Sequence, residues 1–270
     1  MKSPLAILKS DSAVGKFVFI ILLVIIFIYT LRLVSSLISH LFGPDTSPML
    51  VKGMRRATKG LIIEQDPKIS GSKTIMRSEN EEGGVEFTWT VWLFIEDIPQ
   101  SDTTSVKHVF HKGNAAISPT GMFKPNNTPG LYIDALKSSV DDHNMMTCNM
   151  FVLMNTYNEI EEQIDIENIP LKKWIFTAIR VKGRMLDVYL NGIIVARHEL
   201  RSPVKQNYGN VYVTQQGGYN GAISSLQYHN KALDAQTIFN MSSNGANTDI
   251  YDEDDMKQSD PPYLSQIGRA

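Results

Sequence analysis

The sequence has a single cysteine, Cys148, so the chain by itself can form no disulfide and no cysteine-rich zinc or iron–sulfur site. It also lacks an excess of charge of either sign: 26 Lys and Arg stand against 28 Asp and Glu, and the formal net charge is −2. A protein that binds nucleic acid through bulk electrostatics would have a basic excess or a basic stripe. These shortages exclude an intramolecular disulfide and argue against a nucleic-acid partner.

The composition is that of a folded protein, with 43% hydrophobic and 9% aromatic residues. That is enough apolar material for one hydrophobic core and is far from a disordered composition. The length allows one or two domains, and an all-β sandwich often uses about 200 residues as a single unit.

Residues 14–42 contain a long apolar run with no charge between Phe17 and Leu31. A bilayer core of about 30 Å needs roughly 20 apolar residues in a helix. Lys16 and Arg32 then lie near opposite interfaces, where their side chains reach the headgroups. The pattern predicts a transmembrane helix with an amphipathic extension after Val34, ending at Gly43-Pro44. The predicted anchor residues are Phe17, Ile20, Leu23, Ile26, Tyr29 and Arg32.

Two other interpretations of this run are weaker. A cleaved signal peptide has a shorter apolar region and a small-residue cleavage site, and a buried soluble helix has a polar face. The basic residues that flank the run favour, slightly, a cytoplasmic C-terminal domain. The lone cysteine favours the same reducing side, whereas sequons at Asn126 and Asn240 favour export.

Around the helix, the sequence predicts four further segments: a short polar N-terminus (1–13), a basic juxtamembrane linker (43–59), a β-sandwich (60–245) and an acidic flexible tail (246–270). The linker contains Lys52, Arg55, Arg56 and Lys59. These cations are either solvated or in contact with anionic lipid headgroups.

From residue 85 onward the pattern is that of short strands. In Phe87–Ile95 both alternating faces carry apolar side chains, which predicts a central strand covered on both sides. Lys172–Leu200 contains three strand patterns separated by turns at Gly183 and Asn191-Gly192, which predicts an antiparallel meander beginning at a buried Trp174. Only 234–241 has a helical pattern, so the fold class is an antiparallel β-sandwich of about ten or more strands and not a parallel α/β sheet.

Four segments carry a resemblance to a known fold family. They are FTWTVWLFI, the step at Val109–Gly113, KKWIFTAIRVKGRMLDVYLNGIIVA, and the closing segment Gly217–Ile238. In this order they resemble the concanavalin A-like jelly roll of the laminin G-type and pentraxin-like group. The resemblance implies the fold over roughly 60–245, while the function stays open, because lectins, adhesion modules, glycan hydrolases and structural proteins share it.

A second resemblance concerns RSENEEGGVEFTWTVWLFIED behind an N-terminal anchor. This combination is similar to membrane or capsid-associated proteins of large DNA viruses of algae. It implies a virion membrane or minor capsid protein.

One strand has the spacing of a glycan-hydrolase site. Hydrolases of this fold use E-x-D-x-E, whose first Glu attacks the sugar and whose last Glu protonates the leaving oxygen. Here Gln163 stands at the nucleophile position before Asp165 and Glu167. An amide cannot form the glycosyl ester, so we expect an ordinary alternating strand with Ile164 and Ile166 inward, and no enzyme activity.

The other candidate sites have plain structural explanations. His108 and His111 are three apart, so on a regular strand they point to opposite faces and form no metal pair. Asp141 and Asp142 are weak candidate ligands for calcium, and otherwise we expect no cofactor. Cys148 lies in an apolar stretch and is predicted to be a buried small hydrophobe.

Three functions follow, of which the third is a degenerate glycan hydrolase. The first is a non-enzymatic single-pass membrane protein whose sandwich links a bilayer to a neighbouring protein layer. The second is a membrane-anchored carbohydrate-binding module. A cluster of aromatic and Asp or Asn side chains at one accessible place distinguishes the second from the first.

Overall fold

The structure is a computed structural model that describes residues 13–42, 45–81, 84–98, 106–140 and 146–250. The chain divides into two compact units, one up to Asp45 and one from Thr46 onward. In the first unit, helix α1 (Ala13–Phe42) is continuous, and its stretch Gly15–Ile38 contains 18 consecutive residues with a mean hydropathy of 2.9, none of them buried. This length and composition suffice to cross a bilayer, and a signal sequence near an N-terminus meets the same test.

The second unit contains the strands and a second helix. In chain order the strands are β1 (Met49–Arg56), β2 (Leu61–Ile63), β3 (Glu79–Glu81), β4 (Gly84–Asp97), β5 (Val106–Gly113), β6 (Asn127–Val140), β7 (Met146–Met154), β8 (Glu162–Pro170), β9 (Trp174–Lys182), β10 (Met185–Leu190), β11 (Ile193–Glu199), β12 (Asn210–Val213) and β13 (Asn220–His229). Helix α2 (Ala235–Ser243) follows β13, and the Asp234 side chain caps it by accepting from Thr237 N.

The described strands form two sheets. One has the order β1-β13-β4-β9-β10-β11, with β3 paired to β4, and the other has the order β2-β12-β5-β6-β7-β8. The pairings between these strands are antiparallel. The predicted fold class, an antiparallel β-sandwich preceded by one apolar helix, is confirmed.

Strand β4 is central, as the sequence predicts. Its inward side chains, among them Trp89 and Leu93, belong to the core between the sheets. On the outer face Trp92 packs in a second cluster with Phe176 and with Ile238 of α2. The sheet is therefore covered on both faces at this strand. This is why β4 carries apolar side chains on both of its faces.

The predicted meander is confirmed in β9, β10 and β11. Asn191 and Gly192 both have positive φ, 48° and 83°, as a type I′ hairpin turn requires. Helix α2 lies directly over this turn, because a Cβ placed on Gly192 would come within 3.0 Å of Phe239 Cα. Glycine is thus favoured at 192 for two reasons: the turn requires a positive φ, and the nearby helix leaves little room for a side chain.

The predicted linker is wrong in its structure, because Met49–Arg56 forms β1 and pairs with β13. Two register shifts interrupt this pairing, so buried residues do not alternate strictly along β1 and the sequence shows no period of two. Part of the predicted tail also contacts the sandwich, since Asp249 O accepts a hydrogen bond of 2.7 Å from Met54 N, while 251–270 lie outside the described residues. The sandwich therefore starts before residue 60 and extends past 245.

Trp174 is only partly buried, contrary to the prediction. It begins β9 at the end of the strand and packs at the margin of the outer cluster, 5.6 Å from the ring of Phe94. The tryptophan in the centre of the core is Trp89, which is 1% exposed.

Candidate functional site

A cavity of about 320 Å³ lies within the sandwich unit, where β4 and β13 of one sheet face β5 and β12 of the other. Two segments complete its wall: the irregular residues 65–78, and residues 206–210, which are irregular up to the start of β12 at Asn210. The residues that line it are Gln65, Asp66, Thr74, Ile75, Met76, Arg77, Ser78, Phe87, Trp89, Lys112, Thr128, Gln206, Asn207, Tyr208, Asn210 and Tyr228. Its size is that of ordinary small-ligand sites in proteins.

The floor of the cavity is aromatic. Phe87 and Trp89 come from β4, and Tyr228 comes from β13 beside them. The Trp89 ring lies 5.1 Å from that of Tyr228 in an edge arrangement and 5.4 Å from that of Phe110. These rings are packed against the core, so the floor is rigid and apolar.

Residues 65–78 are fixed by the side chain of Gln65. Its Nε2 donates to Lys73 O at 2.8 Å, and its Oε1 accepts from Ile75 N at 2.9 Å. Gln65 N donates to Asn210 Oδ1 at 3.0 Å, although the two residues are 145 positions apart. The wall segment is therefore held in place without belonging to either sheet.

Residues 206–210 are fixed against β5. Asn207 Nδ2 donates to Lys112 O at 3.1 Å, while Lys112 Nζ donates to Asn207 O at 2.9 Å and to Gly209 O at 2.7 Å. Gly209 fits here because a Cβ would come within 2.1 Å of Gly113 O. Gln206 Nε2 donates to Ser78 Oγ, which joins the two wall segments across the cavity.

The rim carries charge and one exposed ring. Asp66 and Arg77 are exposed, and Tyr208 is exposed over 89% of its surface. Burial lowers the pKa of Lys112 to about 8, so its ammonium group is still mostly protonated at neutral pH. Aromatic surface combined with amides, one carboxylate and two cations suits a ligand with both apolar faces and polar groups.

A smaller cavity of about 180 Å³ lies elsewhere in the unit, lined by residues that include Asp97, Lys107 and Asn220. Asn220 Nδ2 already donates to Asp97 Oδ1 at 2.6 Å.

The basic residues of the predicted linker differ in their exposure to solvent. Lys52, Arg56 and Lys59 are exposed, whereas Arg55 is buried and its guanidinium donates to Lys59 O at 3.2 Å. A lipid contact through Arg55 is therefore wrong, because this side chain secures the turn after β1. The contact through the other three cations stays a prediction.

The histidine prediction is wrong in its geometry. His108 faces Tyr132 and Phe110 faces Leu131, so β5 has one extra residue, Val109, relative to β6. This bulge brings His108 and His111 to the same face, where His108 Nε2 lies 2.8 Å from His111 Nδ1.

In β8 the pattern is as predicted, with Ile164 and Ile166 buried and Gln163, Asp165 and Glu167 exposed. Gln163 Nε2 donates to Asp165 Oδ1 at 2.7 Å, so the amide is bound to the neighbouring carboxylate.

Cys148 is buried, as predicted, and burial raises the pKa of its thiol to about 12. Asp141 and Asp142 lie outside the described residues. Within the described ranges, no three His, Cys, Asp or Glu side chains are grouped so as to hold a metal ion.

Sequence reasoning missed the residues of the cavity. The sequence predicts strands at Lys112 and Trp89, but the approach of these two residues depends on how the two sheets pack. A signal was nevertheless present, since residues 64–78 and 201–209 are polar, do not alternate, and contain the solitary aromatic residue Tyr208.

Comparisons with protein-family models and with curated protein sequences find no match. Among solved structures, the chain is similar to the ligand binding domain of botulinum neurotoxin serotype D in complex with N-acetylneuraminic acid. The identity is 11% over 74% of this chain and 45% of that chain, with a TM-score of 0.49. It is also similar to the botulinum neurotoxin serotype G binding domain, at 10% identity over 70% of this chain and 46% of that chain, with a TM-score of 0.46. This chain thus spans less than half the length of those structures. These values describe a distant likeness between β-sandwiches.

Proposed function

We propose that the chain is a non-enzymatic binding module whose sandwich binds a glycan in the 320 Å³ cavity and whose helix α1 anchors it in a membrane. The observation that carries the proposal is the meeting of an aromatic floor with the side chains of Asp66, Asn207, Tyr208 and Asn210. Sugars have apolar ring faces and many hydroxyl groups, so they suit rings that pack and amides that both donate and accept.

The rim tyrosine offers a direct test. The full chain, in nanodiscs, is expected to bind a subset of a glycan array. Tyr208→Ala should weaken that binding several-fold, because a stacked ring contributes about 0.5–1.5 kcal/mol. Tyr157→Ala is the matched control, since Tyr157 is a tyrosine exposed over 71% of its surface that does not line the cavity. Equal binding by the wild type and Tyr208→Ala would argue against the cavity as the site.

A second function, as a link between the membrane and a protein layer, is supported by β11. This strand is the edge of its sheet, and its Ile193, Ile194 and Val195 are exposed. The strand contains neither proline nor lysine, which commonly block edge-to-edge pairing. A strand of a neighbouring structural protein could add here, as in a virion membrane or minor capsid protein.

Cross-linking tests this second function. A photoreactive residue at Val195 is expected to give one discrete cross-linked species in native membranes, whereas the same probe at exposed Ile69 should not. Identical products from both positions would count against an interface at β11.

The side of the membrane on which the sandwich lies is a separate proposal. The flanking charges favour the cytoplasm, and glycan binding favours the opposite side. Asn240, in a sequon, is exposed on α2. A glycosidase-sensitive mass shift that disappears in Asn240→Gln would place the domain outside the cytoplasm; its absence in a glycosylating host would support the cytoplasmic prediction.

A further inference from the structure

The side chain of Lys112 is held in one position at the wall of the cavity. Its ammonium group donates to Asn207 O and to Gly209 O, at 2.9 and 2.7 Å. An ammonium group has three hydrogens, so one N–H is left after these two bonds. Lys112 lines the cavity together with Trp89, so this charged group borders the space available to a ligand.

Among the described residues, no carboxylate forms an ion pair with this cation. Within the described part of the chain, none of the ion pairs includes Lys112. Burial lowers the pKa of this ammonium group to about 8. A half-buried cation without a counter-charge is unfavourable, and an anion in the cavity would remove that cost.

The other charged groups near the cavity do not supply the counter-charge. Asp66 and Arg77 line it from the segment after β2 and are exposed to solvent, where they are screened. Glu64 lies on the same segment and accepts from Asn210 Nδ2 at 2.5 Å. With Lys112 and Arg77 against Asp66, the lining has one more positive than negative charge.

We infer that the glycan bound in the cavity is acidic and that Lys112 binds its carboxylate. This inference rests on the proposed function, because it names the class of glycan for the same site. The sugar ring packs on the aromatic side of the cavity, and its carboxylate accepts from the remaining N–H of Lys112. Arg77 adds a second positive charge at the rim.

The test is an array that presents each acidic glycan, uronic or sialic, beside the same glycan with its carboxylate converted to the methyl ester. The full chain in nanodiscs of neutral phosphatidylcholine is expected to bind acids at least tenfold more tightly than their esters. Lys112→Met should weaken binding of the acids about tenfold to hundredfold and remove the preference, as expected for a lost charged hydrogen bond. Lys205→Met is the matched control, since Lys205 is an exposed lysine that directly precedes residues 206–210 of the wall and does not line the cavity.

A pH series separates the charge of Lys112 from a role in folding. The pKa of Lys112 is about 8, so affinity for the acid should be constant up to about pH 7 and fall as pH rises through 8, while the sugar carboxylate stays ionised. Lys112→Arg should bind with an affinity that no longer falls between pH 7 and 9, because a guanidinium stays charged. An unchanged melting temperature in each variant shows that the fold is intact.

The outcomes distinguish the two proposals. If acids and esters bind equally well and Lys112→Met changes neither, the inference about acidic glycans is wrong and the glycan-binding function stands. If no glycan on the array binds, the proposed function fails and the inference fails with it.

Discussion

His108 Nε2 and His111 Nδ1 lie 2.8 Å apart and form the centre of a hydrogen-bonded chain in which both rings are neutral. Gln215 N donates to His108 Nδ1 at 3.0 Å, so the proton of His108 is on Nε2 and is donated to His111. The proton of His111 is then on Nε2, which donates to Asn114 O at 2.9 Å. A proton added to either ring breaks one of these bonds.

We therefore expect the sandwich to lose stability in acid. Burial lowers the pKa of His111 to about 4 and that of His108 well below its usual range. The unfolded chain takes up these protons near pH 6.5 and the folded chain does not. The stabilisation is thus complete above pH 6.5 and is lost as pH falls towards 4, by about 3 kcal/mol for His111.

Denaturant unfolding of the full chain in detergent between pH 7.5 and 4 measures this slope. Replacing both rings, His108→Phe with His111→Phe, should flatten it, and His198→Gln, at a partly exposed histidine, should not. A slope that is the same in the wild type and the double variant would show that other groups cause the acid sensitivity.

The anchor prediction concerns residues 1–42. A chain without them is expected to be soluble and folded, because the span Gly15–Ile38 contains the long apolar helix and the compact sandwich begins later. Membrane fractionation followed by a high-salt wash measures this, since salt removes only electrostatic attachment. A truncated protein that stays with the membrane after the wash would show that another segment anchors the chain.

Two tryptophans should differ sharply in their contribution to stability. Trp89→Ala should lower the free energy of unfolding by about 3–5 kcal/mol, because a fully buried aromatic side chain leaves a cavity. Trp174→Ala should lower the free energy of unfolding by clearly less, because Trp174 is only partly buried at the start of β9. Denaturant melts of both variants measure the difference, and equal losses would contradict the assigned positions of the two rings.

Gly192→Val should destabilise the protein through two effects. Positive φ disfavours a β-branched residue, and its Cβ would lie 2.7 Å from Ser242 Oγ. Together these should cost about 2–4 kcal/mol. Gly71→Val is the control, because φ is 79° at Gly71 but no atom lies within 4 Å of the new Cβ. In denaturant melts, this variant should lose less unfolding free energy than Gly192→Val.

The catalytic prediction is negative. A retaining glycosidase needs two carboxyl groups about 5–5.5 Å apart on either side of the scissile bond. Gln163 cannot attack the sugar as a nucleophile. The side chains of Asp165 and Glu167 project from the same face of β8, so neither can act from the opposite side of the sugar. We expect no hydrolysis of β-glucans or galactans in a reducing-end assay. Activity in the wild type that Glu167→Gln abolishes would overturn this prediction, and activity gained only by Gln163→Glu would point to a degenerate enzyme.

The sequence by itself determined the strands whose signals are local. In β4, β8 and β9 the side-chain pattern over a few residues reflects which faces are buried, and at Asn191-Gly192 the residue types specify the turn. Helix α1 was equally predictable, because an uncharged apolar run of that length needs no tertiary partner to be recognised.

Only the tertiary structure decided the features that depend on distant parts of the chain. Strand β1 is a strand because it pairs with β13, and its irregular register hides the period of two. The bulge at Val109 arises from the pairing of β5 with β6 and places two histidines on one face that regular spacing would separate. The cavity is lined by Lys112 and by Gln65 and Asn210, two residues 145 positions apart that a hydrogen bond joins. Contacts between segments so far apart leave no local periodicity, and for that physical reason no window of the sequence contains them.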